Sequence, residues 1–225
     1  DKGGNFDVYL MSAIDGKILK KLIKGQKSAD FEEMHILAPG ISWSPDENFI
    51  TLAAKAGKED ALYIINTKTK HVKQHKFGLD GVFGASWSPK GDEIAFIGIK
   101  NGAPNIYAFN ISTNNLRKIT DDIFSERNPT WSPDGEKIVF VSDRRNYINN
   151  EMIDDNFKMY EFDFNQWDIY TINKDGSNMQ RITNTEYDED YPVWHKNGKE
   201  IIHTAVKNGI ANIFITNLDT KESRP

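Results

Sequence analysis

The chain of 225 residues contains no cysteine. Disulfides, cysteine-bound zinc and thiol nucleophiles are therefore excluded together. Histidine is scarce, with five copies at His35, His71, His75, His195 and His203. A transmembrane helix needs about 18 consecutive apolar residues, and no such run exists. Basic residues are not in excess: 28 Lys and Arg face 33 Asp and Glu, for a net charge of −5. Such a balance speaks against a nucleic-acid binder, which carries a basic patch or stripe. No segment sustains the apolar period of a helix. No Gly-x-Ser-x-Gly elbow occurs, and no Asp-x-Asp-x-Asp-Gly loop with a distal Glu. The opening Asp1-Lys2-Gly3-Gly4 does not read as a signal peptide.

What the chain does have is a hydrophobic content of 38% with 12% aromatics, enough to build a core. It also has an internal repeat. Trp43, Trp87, Trp131 and Trp194 open the phrases WSPDEN, WSPKGD, WSPDGE and WHKNGK. An aromatic follows 20 residues later in three copies, at Tyr63, Tyr107 and Phe214. For Trp131 the counterpart is Tyr170, so that copy carries a 19-residue insertion. Each aromatic precedes the next tryptophan by 24 residues, which makes the period 44. Phe6-Asp7-Val8-Tyr9 echoes Trp167-Asp168-Ile169-Tyr170 as a leading half-copy, with ten extra residues before Trp43.

A period of 44 falls in the range of four-stranded propeller blades. Strand a ends at the tryptophan, and a Pro-Asp-Gly turn follows, as at Pro133-Asp134-Gly135. Strand b is apolar on both faces, as in Ile138-Val139-Phe140-Val141, the pattern of a sheet packed between two others. Strand c holds the aromatic, and strand d is the Leu116–Thr120 or Gln180–Thr183 type.

The phrase Pro129-x-Trp131-Ser132-Pro133-Asp134-Gly135, then Ile138-x-Phe140-x-Ser142, then Ile169-Tyr170 and Arg181-x-Thr183, resembles the TolB-type β-propeller repeat. Ser142-Asp143-Arg144 after strand b belongs to the same likeness, which extends over nearly the whole chain outside the two insertions. The fourth copy departs from it, with His195-Lys196-Asn197 in place of Ser-Pro-Asp. The expected fold is an all-β propeller of four-stranded antiparallel blades. The expected division is a half blade at 1–40 and blades at 41–84, 85–128, 129–191 and 192–225. The insertions fall near 25–40 and 146–165. About 4.5 blades are present, counted as 17 strands that start and end in phase c. Propellers close into rings, so the expectation is a segment of a six- or seven-bladed ring.

The tryptophans recur at one structural position and are expected to pack between blades. His71 and His75 are placed on a solvated c–d connection, and His203 on strand b as a core histidine. No convergent His/Asp/Glu set suggests a metal, and no cofactor is expected. No nucleophile, base and oxyanion-hole set can be assembled, so the reading is non-catalytic.

In an antiparallel blade the d–a and b–c connections share one face. Residues 121–191 hold 17 acidic and seven basic side chains, and much of that excess lies in such connections. The candidate partner-binding residues on this face are Tyr147, Asp154, Asp155, Phe157, Tyr160, Phe162, Glu186, Tyr187, Asp188, Glu189 and Asp190. Charged loops also fit a simply solvated face, and aromatics can cover a blade edge. Five aromatics in one insertion nevertheless exceed what a solvated loop requires, and interfaces are enriched in them.

The resemblance implies a non-enzymatic scaffold for protein–protein interaction in the bacterial periplasm or cell envelope. It implies a protein partner on the d–a/b–c face, such as an envelope lipoprotein, and further blades or domains of the same protein. Two alternatives stay open: the substrate-gating propeller of a prolyl-oligopeptidase-like serine hydrolase, and a carbohydrate-active propeller enzyme.

Overall fold

The computed structural model of the chain describes residues 7–23, 33–34, 40–148, 153 and 157–225. The first sheet is a two-stranded pair, β1 (Val8–Met11) with β2 (Ile18–Ile23). In the second, β3 (Glu33–Met34) and β4 (Ser42–Trp43) both pair with β5 (Phe49–Ala56), followed by β6 (Glu59–Asn66) and β7 (Val72–His75). The third runs β8 (Gly81–Trp87), β9 (Glu93–Lys100), β10 (Ala103–Asn110) and β11 (Asn115–Lys118). The fourth is β12 (Glu126–Trp131), β13 (Lys137–Ser142), β14 (Asp168–Asn173) and β15 (Gln180–Arg181). The fifth is β16 (Glu189–Trp194), β17 (Glu200–Lys207), β18 (Ile210–Asn217) and β19 (Ser223–Arg224). All neighbours are antiparallel, as hairpin connections require. Among the described residues the sheets form an open arc and no closed ring.

Strand b is apolar on both faces because it is buried on both. On β9, Ile94 and Phe96 point to the cluster shared with the second sheet, while Ala95 and Ile97 point to Trp131, Ile138 and Phe140 of the fourth. On β13, Ile138 and Phe140 face back and Val139 faces Ile201 of the fifth. Each full burial of such a side chain contributes about 1.5–3 kcal/mol.

Trp87 and Trp131 lie between sheets at 8% and 7% exposure. The indole N–H of Trp131 donates to Ser86 O at 3.1 Å, and that of Trp194 to Thr130 O at 3.3 Å. Each bond clasps one sheet to the preceding inner strand. Trp43 is 47% exposed, because the two-stranded pair before it supplies no inner strand.

The tight turn after the tryptophan follows from its residues. Ser132 Oγ donates to Asp134 Oδ1 at 2.6 Å, Glu136 N donates to the same oxygen at 3.0 Å, and Gly135 takes a φ of 69°. The divergent copy rebuilds this turn with other atoms. His195 Nδ1 accepts from Asn197 N, Lys199 N donates to Asn197 Oδ1, and Gly198 has a φ of 68°.

Two expectations are corrected. The last sheet does have a strand d, β19, which pairs with Ile215 and Thr216. Its two residues lie in a charged stretch without apolar alternation, which hid it. His75 lies on strand d rather than in a turn, with its ring 4.5 Å from Phe109. Burial, with Lys73 adding to it, lowers its pKa. His203 is a core residue whose Nε2 lies 2.8 Å from Thr216 Oγ1.

One feature of strand a recurs. Three residues before each tryptophan the backbone turns to positive φ: Gly40 at 55°, Gly84 at 60°, Asn128 at 53° and Tyr191 at 50°. The ladder slips at the last three, between Phe83 and Ser86, Arg127 and Thr130, and Asp190 and Val193. These are bulges. A Cβ on Gly40 would sit 2.0 Å from Ala85 N, so glycine is required there by a close backbone approach. Tyr191 has no such licence, and a bulky residue at positive φ carries strain of about 1–3 kcal/mol.

Candidate interaction face

The d–a loops and the long b–c insertion come together on one face, organised by Phe124. This residue follows β11, is 1% exposed, and makes ring contacts with Tyr147, Phe157, Phe162 and Phe164 at 5.5–6.4 Å between centroids. The insertion residues also meet one another, Phe162 and Phe164 at 4.7 Å. They form a small satellite core that fixes the insertion to the neighbouring d–a loop. Its distal end is tied as well. Arg145 pairs with Asp163 at 2.5 Å, Gln166 Nε2 donates to Thr185 O and Tyr187 O, and Trp167 N donates to Asp188 Oδ1.

Beneath lies a buried charge network that sequence reasoning missed. Arg144, at 1% exposure, contacts the Glu126 carboxylate directly and pairs with Asp122 at 2.9 Å. Its Nε donates to Ser142 Oγ at 3.0 Å, and its guanidinium lies 5.6–5.8 Å from the rings of Phe124, Phe140 and Tyr170. Burial pushes the Glu126 carboxyl up to about 8, against the pull of Arg144. The next loop repeats the scheme. Thr120 Oγ1 donates to Glu126 at 3.0 Å and Thr183 Oγ1 to Glu189 at 3.2 Å, while each threonine hydroxyl also accepts a backbone N–H at 2.9 Å. The signal was present as the recurrent Thr-x5-Glu spacing and the Ser-Asp-Arg phrase.

The predicted residues therefore do not form one outward patch. Tyr147, Phe157 and Phe162 are brought together as the half-buried satellite core. Glu189 is 1% exposed and turned inward, where burial pushes its pKa up to about 7. The outward groups are Tyr160, 82% exposed on a 3₁₀ turn at Met159–Glu161, with Glu186 and Asp188 in the adjoining loop. Tyr187 is half-buried under Lys207, whose Nζ is 5.3 Å from the ring. Asp190 accepts from Asn128 Nδ2 at 2.6 Å and pairs with Arg127 at 3.3 Å. Asp154 and Asp155 lie outside the described residues.

The inner strands of four sheets line a central space that widens to about 720 Å³ among the Trp-Ser-Pro turns. Tyr191, 62% exposed, borders it from the strained bulge. Among the described residues, no three His, Asp or Glu side chains converge as metal ligands, and no helix is long and apolar enough to cross a membrane.

A family model described as the TolB beta propeller domain matches residues 26–148, more than half the chain. Comparison with curated proteins gave no match. Among solved structures, TolB from Acinetobacter baumannii is similar at 21% identity and a TM-score of 0.69, covering 94% of this chain and 46% of that one. The chain thus spans about half the length of that protein. A structure assigned as TolB from Agrobacterium tumefaciens aligns at 19% identity and a TM-score of 0.74, over 97% of this chain and 72% of that one. Dipeptidyl peptidase 4 from Porphyromonas gingivalis aligns at 14% identity and a TM-score of 0.59, over 96% and 28%. The fold is shared by TolB structures and by an enzyme.

Proposed function

The chain belongs to the TolB beta propeller domain family, and from that premise we propose that it is a non-catalytic scaffold for protein–protein interaction in the cell envelope, on the periplasmic side. The partner docks on the d–a/b–c loop face. One observation carries this reading: Phe157 and Phe162 pack on Phe124, yet Met159 and Tyr160 between them stay 56% and 82% exposed. An exposed aromatic on a turn packed to the blade, beside acidic side chains, is the composition of an interface anchor, because tyrosine brings large contact area at little entropic cost. The acidic loops would act on association rate, and the aromatics on dissociation.

The test is site-specific photo-crosslinking in cells. A photoreactive residue at Tyr160 or Glu186 should yield discrete protein adducts, and the same residue at Thr113, on the opposite turns, should yield none. Equal labelling from both faces, or none from Tyr160 and Glu186, refutes the assignment.

A further inference from the structure

The repeat makes each junction between sheets an internal control for the next. Between the third and fourth sheets, the turn-side cleft is closed by charge. Arg117 pairs with Glu93 at 2.8 Å and reaches across to the Lys174 carbonyl. Lys90 and Lys174 both pair with Glu136, and the Lys90 stem lies over Gly135.

Between the second and third sheets, every charged position of this set is changed. Counting from the repeat tryptophans and aromatics, Glu93 becomes Phe49, Arg117 becomes Lys73, and Lys174 becomes Ile111. Lys90 and Glu136 become Asp46 and Asp92, two acids that cannot pair. The closing ion pairs are lost and an apolar cleft of about 490 Å³ remains, within the size range of small-molecule sites. Its walls include Phe49, Ile64, Ile111 and Trp87, with Phe49 stacked on Trp87 at 6.3 Å between centroids.

The polar groups of this cleft define the ligand. Trp87 contributes its ring and not its N–H: it is 8% exposed, and its Nε1–H is closed off from solvent with no hydrogen-bond partner among the described residues, whereas the equivalent atoms of Trp131 and Trp194 each donate to a carbonyl. The charged lining groups are Asp46, Lys73 and Lys90, with His71 beside them. The Asp46 carboxylate is occupied by Ser44 Oγ and by the Asn48 backbone and side-chain N–H groups, and Lys90 by Glu136. Lys73 makes no ion pair among the described residues, since Phe49 stands where its acid would be.

We propose that this cleft binds a small aromatic carboxylate, its ring between Phe49, Ile64, Ile111 and Trp87 and its acid group held by Lys73. This site is on the opposite side from the loop face and independent of the scaffold role.

The experiment titrates the intact chain with 3-phenylpropionate, the uncharged 3-phenylpropan-1-ol, and acetate, by calorimetry and by ¹H–¹⁵N NMR of the indoles. The acid should bind saturably, the alcohol about tenfold more weakly, as expected for loss of about 1.4 kcal/mol, and acetate not at all. The Trp87 indole N–H resonance should shift most of the five. Lys73→Gln should weaken the acid about five- to tenfold and leave the alcohol unchanged. Phe49→Glu, which rebuilds the ion pair of the neighbouring junction, should abolish both. Lys73 is exposed, so Lys73→Gln folds and decides the matter even if Phe49→Glu does not. No saturation by the acid at about 10 mM, or an acid-to-alcohol ratio unchanged by Lys73→Gln, overturns the proposal.

Discussion

Replacing Trp131 by Ala tests the central packing claim, and the repeat provides its own comparison in Trp43. A buried aromatic removes about 150–250 Å² from water. At about 25 cal/mol per Å², reduced for residual burial in the unfolded chain, Trp131→Ala should cost about 3–5 kcal/mol. The Trp131 indole also donates to Ser86 O, so Trp131→Phe should lose about 1 kcal/mol for that bond in addition to the cost of the cavity left by the smaller ring. Trp43 sits in the same repeat position but is 47% exposed against 7% for Trp131. Half the buried area predicts roughly half the cost, about 2 kcal/mol for Trp43→Ala. The assay is equilibrium unfolding in urea, followed by far-ultraviolet circular dichroism so that loss of an indole does not bias the signal. With a slope of about 2–3 kcal/mol per molar, the midpoint should fall by about 1.5 M for Trp131→Ala and by about 0.7–1 M for Trp43→Ala. Equal costs at the two sites would show that repeat position rather than burial between sheets sets the energy, and would refute the reasoning.

Glu126 and Glu189 have folded pKa values pushed up to about 8 and about 7 by burial. A carboxyl raised in this way binds its proton more tightly when folded, so its contribution is complete below about 4.5 and is lost as pH climbs through the folded value. Unfolding free energy should therefore decline between pH 4.5 and 8. Glu189→Gln should flatten this decline by at most about 3 kcal/mol, and an unchanged pH profile would contradict the burial argument. At the strained bulge, Tyr191→Gly should be about 1 kcal/mol more stable than Tyr191→Ala, because only glycine relieves the positive φ; thermal denaturation that ranks them the other way would remove the strain. Phe124→Ala should cost about 3–5 kcal/mol and accelerate amide exchange at Tyr147 and Phe162, which lean on that ring; exchange unaltered at both would separate the insertion from the satellite core.

The strand-level architecture was legible because it repeats: a Trp-Ser-Pro turn followed by a two-sided apolar strand leaves little choice of fold. The inner bulge was less so, since Gly40, Gly84, Asn128 and Tyr191 share a backbone angle and no side-chain property. The candidate face was half legible. Its aromatics were found, but their inward role depends on Phe124, which lies in a different loop. Glu189 looked like one more surface acid because the threonines that receive it are identified only by spacing against the previous copy. Arg144 was visible as part of a phrase and invisible as a charge, because sequence does not say which acids a buried arginine will meet.

The indole bonds from Trp131 and Trp194 run from one sheet to the carbonyl just before the preceding tryptophan. Donor and acceptor thus both reside inside the 44-residue unit, one residue apart in phase. Copying such a unit and splicing it anywhere along the array regenerates a matched joint on each side without any further substitution. The joint itself therefore sets no limit on how many units are strung together; that limit comes from the geometry of closing a circle. The junction at Trp87 lacks the bond, and it is there that a cleft opens.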